Sequence, residues 1–253
     1  MRLAGYHAVV TGGGTGIGAA IARALAAEGA RLTLVGRRRE RLEEVARELP
    51  GTAVAVGDVT LREQVDEAFA VARTAHGPIS ILVNNAGAAD SAPFAKVSAE
   101  AWRSCMAVNL DALFHCCQAA LPDLLRAQSG RIVTIASTAG LKGYGYTAPY
   151  GAAKHGAIGL TRALAAEFAR TALTVNAICP GFTDTDVVAD AIAKIRAKTG
   201  RSEEEALAEL ARFNPQQRLI EPREVAEALI WLCLPASKSI TGQAIAVAGG
   251  EVM

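Results

Sequence analysis

Residues 11–18 read TGGGTGIG. They follow HAVVTG (7–12), an apolar, β-branched run that predicts a strand, and they open an Ala-rich helical pattern over 17–28. Between a strand and a helix, glycines let the chain turn sharply, let a pyrophosphate approach the backbone and let the helix pack close to the sheet. The helix N-terminus then offers free N–H groups to the phosphates. An ordinary tight turn would also use glycines, but the position after a strand and before a helix points to a dinucleotide. Its expected contacts are Gly12, Gly14, Thr15, Gly16 and Ile17.

The rest of the chain repeats the strand–helix rhythm. Short, nearly all-apolar runs fall at 7–12, 31–36, 53–58, 79–85, 131–137, 173–179 and 244–249, which is how strands buried on both faces of a parallel sheet read. Helical patterns lie between them at 17–28, 40–49, 62–76, 99–126, 150–171 and 222–234. Alternation of this kind implies right-handed crossovers and a doubly wound α/β sheet. Residues 183–216 break the rhythm, with helical patterns but no strand, and read as an insertion ahead of the last strand.

With 253 residues, 51% of them apolar, the chain has enough material for a substantial core. A net charge of +1 with both signs interspersed gives no reason to expect nucleic acid or a membrane surface as partner. The chain reaches its glycine turn too early for a signal peptide, and no apolar run is long enough to span a bilayer. Five cysteines (105, 116, 117, 179 and 233), odd in number and without CxxC spacing, suggest reduced thiols and a cytoplasmic protein, with no metal site.

About twenty residues past the glycine turn, a site for NAD usually carries an acid for the ribose hydroxyls, whereas a 2′-phosphate calls for Arg. Here Gly36 stands where the acid would be, followed by Arg37, Arg38 and Arg39. Three cations at a helix start oppose the helix dipole. They fit a solvated charge run, but an anionic ligand would explain them better, so NADP(H) is favoured over NAD(H).

Further along come NNAG (84–87), VNL (108–110), IAS (135–137), YGAAK (150–154) and PGFTDT (180–185). Together with the glycine turn, and in this order, they resemble the motifs of the short-chain dehydrogenase/reductase family, from about residue 3 to the C-terminus. The resemblance implies a Rossmann-type doubly wound, seven-stranded parallel sheet with helices on both faces. It implies one NAD(P)-binding domain over 1–253, with the insertion at about 183–216 as a helical substrate lid, and an oxidoreductase acting on CH–OH groups. Tyr150 would be the general acid/base, and Lys154 would hold the nicotinamide ribose and favour the phenolate. Ser137 would steady the reacting oxygen, and Asn109 would hold a water linking Lys154 to solvent. Asp58 and Val59 would lie at the adenine. Asn85, Ala86 and Gly87 would lie beside the adenosine ribose, and Pro180, Gly181, Thr183 and Thr185 near the carboxamide and phosphate. Taken singly, each of the four catalytic candidates also fits an ordinary structural role: a strand-end cap, a mid-helix polar residue, core packing or a surface cation.

The stretch from Ser137 to Phe182 resembles both 3-hydroxybutyrate dehydrogenases and polyketide β-ketoreductases, which share a 3-oxo/3-hydroxyacyl pair. At the positions where the former hold a free carboxylate, this chain has Ala89, Ala139 and Thr147. An uncharged acyl group, such as that of a CoA or carrier thioester, fits better. Lys194, Arg196, Lys198 and Arg201 in the insertion could meet distant phosphates, although a solvated amphipathic lid explains them as well. Ser202 and Glu205 stand at capping-box spacing and predict a second lid helix. Tyr144 and Tyr146 could line the acyl pocket beside Ser137 and Tyr150, with packing as the alternative. The resemblance implies a homotetramer assembled through the helices over 99–126 and 150–171 and through the last strand and tail, and the Ala-rich composition of those helices suits close packing between subunits. Alternatives left open are a ketone or secondary-alcohol dehydrogenase, a 3-hydroxybutyrate dehydrogenase, and a catalytically silent cofactor- or partner-binding protein.

Overall fold

A computed structural model describes residues 1–252; Met253 and the side chain of Lys198, one of the four lid bases, lie outside the described residues. Seven strands form one sheet: β1 (His7–Thr11), β2 (Arg31–Gly36), β3 (Ala53–Val56), β4 (Ile81–Asn84), β5 (Arg131–Ile135), β6 (Thr174–Pro180) and β7 (Ala244–Val247). Their order is β3-β2-β1-β4-β5-β6-β7, and every pairing is parallel. Register runs straight across the centre, with Ala8 opposite Leu32 and Ile81, and Ile81 opposite Arg131. β1, β4, β5 and β6 are buried along their whole length, which is why they read as continuous apolar runs.

Two helical layers cover the sheet. On one face α1 (Gly16–Ala27) and α9 (Pro222–Cys233) bury Ile21, Leu25, Leu229 and Leu232 against Val10, Ile81 and Ile178. On the other, α3 (Arg62–His76) and α5 (Ala112–Arg126) bury Phe69 and Leu124 against Val9, Leu82 and Ile132. Each such side chain contributes about 1.5–3 kcal/mol on leaving water. α2 (Arg39–Glu48) flanks β2 and packs Leu42 and Val45 into the first layer.

The helix expected over 99–126 is in fact two. α4 (Ala99–Met106) is capped by Ser98, whose hydroxyl accepts from Ala101 N at 3.1 Å. A π-helical turn, Ala107–Asp111, then separates α4 from α5. Within it the Asn109 side-chain amide donates both to Cys105 O, four residues back, at 3.0 Å and to Ala88 O in the loop after β4 at 2.8 Å, so the turn carries its Asn to that loop. Widened turns of this kind occur where a helix gives up regularity for a site.

The chain runs outward from β1 through β2 to β3, then returns to β4 on the other side of β1. In an open α/β sheet, ligands bind in the crevice at such a reversal, past the carboxyl ends of the strands. α6 (Ala148–Glu167) follows β5, and its first turns face that crevice. The insertion between β6 and β7 forms α7 (Asp186–Thr199), ending at Gly200 in the left-handed region (φ 71°), and α8 (Glu203–Ala211), which starts with the Ser202/Glu205 capping box. The loop after α8 is held by buried Asn214, whose Oδ1 accepts from Gln216 N at 2.8 Å and whose Nδ2 donates to Arg218 O at 2.9 Å.

Candidate active site

At the reversal the end of β4 is stitched to the glycine turn. Thr11 Oγ1 accepts from Asn85 N at 3.0 Å and from Ala86 N at 3.1 Å, and Asn85 Nδ2 donates to Thr11 O and Gly12 O at 3.0 and 3.1 Å. Gly12 has φ 65°, and a Cβ there would lie 2.9 Å from Asn85 Nδ2. A Cβ on Gly18 would lie 2.2 Å from Gly12 O, so any side chain would push the start of α1 away from the glycine turn. Thr15, at the N-cap of α1, makes no side-chain hydrogen bond to the helix. The first-turn N–H groups therefore lack a protein cap and point where an anion would be held. Thr185 approaches from the lid side, its Cγ2 3.1 Å from where a Gly16 Cβ would stand; its hydroxyl donates to Thr183 O at 3.2 Å, and that of Thr183 to Gly181 O at 3.0 Å. These residues fit a dinucleotide pyrophosphate.

At the outer end of the crevice Arg37, just past β2, approaches Asp58, just past β3. Arg37 Nη1 is 3.8 Å from Asp58 Oδ2, with the arginine side chain 76% exposed. Asp58 Oδ1 is held by the N–H and hydroxyl of Thr60 at 2.9 and 2.8 Å, and neighbouring Val59 is buried. Arg38 is the N-cap of α2 and has no side-chain capping bond.

Tyr150 and Lys154 lie one turn apart on α6, with Lys154 Nζ 5.6 Å from the Tyr150 ring centre. Lys154 is buried and donates to Ile135 O at 3.0 Å; burial lowers its pKa to about 8. Ser137, at the end of β5, accepts from Ala139 N at 3.1 Å. Desolvation pushes the Tyr150 phenol's pKa above its ordinary value, and the nearby Ser137 hydroxyl pulls the other way. Asn109 is fully buried; its Nδ2 donates to Ala88 O at 2.8 Å and its Oδ1 accepts from Ala88 N at 3.3 Å. A Cβ on Gly87 would touch Asn109 Oδ1 at 2.9 Å and lie 3.6 Å from Lys154 Nζ, so the bare glycine keeps the space between them open.

The model of the short chain dehydrogenase family matches residues 6–196. The chain belongs to that family. It is 39% identical to a granaticin polyketide synthase putative ketoacyl reductase of Streptomyces violaceoruber over 249 residues, 96% of this chain and 92% of the relative. It is 34% identical to a D-β-hydroxybutyrate dehydrogenase of Cupriavidus necator over 255 residues, 99% of each. The crystal structure of a substituted actinorhodin polyketide ketoreductase with NADPH superimposes with a TM-score of 0.93 at 36% identity, over 97% of both chains. As a short-chain dehydrogenase, the chain is an oxidoreductase acting on carbonyl and hydroxyl groups.

The expected substrate residues divide. Tyr144 is half-buried and edge-on to Phe182 and Phe213, and its hydroxyl bonds Thr138 Oγ1 at 2.6 Å and the Glu251 carboxylate. Tyr146 is 70% exposed, with φ 66°, and its carbonyl accepts from Ala92 N at 2.9 Å. The described lid bases are paired with acids: Lys194 with Asp90 at 3.2 Å, Arg196 with Glu203 at 2.9 Å, and Arg201 with Glu209. Three residues of the site were not singled out in the sequence: Thr11, Lys142 and Glu251. A Thr between strand and glycines was a usable signal for Thr11; the burial of Glu251 in an apolar tail had none. Among the described residues there is no group of three metal-ligating side chains, and no helix is long and apolar enough to cross a membrane.

Proposed function

We propose that this short-chain dehydrogenase reduces the 3-oxo group of an acyl compound to a hydroxyl, with NADPH as reductant. One observation carries the reading: the half-buried Tyr150 phenol stands one helical turn from buried Lys154, whose ammonium lies 5.6 Å from its ring centre, with Ser137 at the end of the neighbouring strand. A phenol held above its ordinary pKa is protonated near neutrality, the form needed to give a proton to a carbonyl oxygen. Ser137 positions that oxygen, and Lys154 limits the cost of the phenolate left behind. Asn109 and Gly87 keep a polar gap behind Lys154 through which a proton can return. The nicotinamide, when bound, supplies the hydride. In the direction of alcohol oxidation the same groups would run in reverse.

NADP(H) over NAD(H) is supported by Arg37 and Arg38 at the end of β2 and by the NADPH in the similar ketoreductase structure. A thioester is supported by the loss of carboxylate partners at Ala89 and Ala139, and by Thr147, whose hydroxyl is already donated to Tyr144 O at 3.1 Å. The paired lid bases weaken the phosphate-contact part of that expectation, since each is half-exposed and has an acid of its own. A homotetramer is supported by exposed Trp102, Phe114 and Leu125 on α4 and α5 and by the outer edge of β7, which no strand among the described residues pairs. A cytoplasmic setting is supported by five free cysteines, four of them buried. Catalytic efficiency on 3-hydroxybutyrate against its CoA ester, with NADP+, tests the reading. Higher efficiency on the ester is expected; equal or better efficiency on the free acid would refute the thioester assignment.

A further inference from the structure

A carboxylate lies buried beside the catalytic loop and has no role in the proton transfer described above. Glu251, in the tail after β7, has a side chain 1% exposed. Its Oε1 accepts from the Tyr144 hydroxyl and pairs with Lys142 Nζ at 3.1 Å. Among the described residues its Oε2 is buried without a hydrogen-bond partner, 2.9 Å from where a Gly181 Cβ would stand. A charge in such a place is retained only when a cation compensates it. Among the described residues the compensating cation is Lys142, whose Nζ also reaches Glu251 O at 3.5 Å.

Lys142 lies between Ser137 and Tyr150 in sequence, on the loop that carries the substrate side of the site. Its Nζ sits 4.9 Å from the Tyr144 ring centre and 6.0 Å from that of Phe213, and its side chain is 35% exposed. The other cation on this cluster, Arg212, 5.6 Å from the Phe213 ring centre, is paired with Glu209 at 3.4 Å. The Tyr144 hydroxyl bonds Thr138 Oγ1 at 2.6 Å and Lys142 N donates to Thr138 O at 3.0 Å, and Thr138 directly follows Ser137, which places the cluster beside the catalytic serine. Lys142 is thus a cation on the segment between Ser137 and Tyr150, and its charge is already taken by the tail.

We propose that Glu251 sets the charge selectivity of the acyl pocket, by neutralising Lys142 so that a substrate carboxylate finds no free cation while an uncharged acyl group enters without penalty. The proposal rests on the acyl-reduction reading and adds to it the residue pair that excludes the free acid. Two positions expected to bind a carboxylate lack polar side chains, but that loss alone would be undone by an unpaired Lys142.

The test uses acetoacetate and its ethyl ester, a pair differing in one charge at the same distance from the reacting carbonyl. The readout is the ratio of kcat/KM, acid over ester, with NADPH. The wild-type ratio is expected to be well below one. Glu251→Gln keeps shape and hydrogen bonding while freeing the ammonium, and should raise the ratio about tenfold or more, through KM for the acid. The double variant Lys142→Gln with Glu251→Gln restores neutrality and should return the ratio to near the wild-type value. A wild-type ratio of one or above overturns the proposal even where no variant folds. So does a Glu251→Gln ratio equal to wild type, or a double variant that keeps the increase. Turnover of neither compound by the wild type overturns the acyl reading and the proposal with it, whereas a flat ratio with good ester turnover overturns the proposal alone.

Discussion

Replacing Arg37 and Arg38 with Gln should separate the two nicotinamide cofactors. Arg37 is 76% exposed and its contact with Asp58 is 3.8 Å, too long and too wet to be worth more than a few tenths of a kcal/mol. Turning it toward a 2′-phosphate therefore costs little, and the new contact is charge-assisted. Such bonds contribute about 1.5–3 kcal/mol when sheltered. Discounting for exposure leaves about 1–1.5 kcal/mol per arginine, or about tenfold each and about a hundredfold together. The double substitution should thus raise KM for NADPH by about a hundredfold while moving that for NADH by less than about threefold. Initial rates followed by absorbance of the reduced cofactor, at saturating carbonyl substrate, give both constants. A wild-type enzyme that prefers NADH, or a double variant whose two KM values rise together, would refute the reasoning.

Lys154 has its pKa lowered to about 8 by burial, so its ammonium, which eases formation of the phenolate, is lost as pH rises through that value; the rate of reduction should fall on the alkaline side of about pH 8. His7 is fully buried between Gly77 O and Thr33 Oγ1, both 2.9 Å from its ring nitrogens, and burial lowers its pKa to about 4. The unfolded chain takes up that proton near pH 6.5, so the His7 contribution is intact above 6.5 and about 3 kcal/mol is lost as pH falls to 4. Denaturant midpoints of wild type and His7→Gln across that range should converge toward low pH. Gly18→Ala places a methyl 2.2 Å from Gly12 O and should weaken cofactor binding at least about tenfold, read by cofactor fluorescence, with the fold retained by circular dichroism.

The sheet was legible because its central strands are buried on both faces and so appear as apolar runs, with boundaries correct to within a few residues. The glycine turn was legible because the positive φ at Gly12 and the Gly18–Gly12 approach admit no other residue. The break at Ala107–Asp111 was not, because the contact made from it, Asn109 to Ala88, lies across 21 positions of chain. The lid cations looked like a cluster because their acids are spread out: Asp90 is 104 residues from Lys194, and Glu203 and Glu209 sit on the next helix. Glu251 stood alone in an apolar tail, and its burial follows from Lys142 and Tyr144, more than a hundred residues earlier.

The central claim is that the Tyr150 phenol gives the proton. Tyr150→Phe removes one oxygen and leaves Ser137, Lys154 and the glycine cradle in place. General acid–base groups contribute about 10²–10⁴ in rate. Turnover of the best 3-oxoacyl substrate, measured beside cofactor Kd on the same protein, should fall by about a thousandfold while Kd changes less than about threefold. A variant that keeps more than about a tenth of the wild-type rate, or one that loses cofactor affinity in step with turnover, would contradict the account.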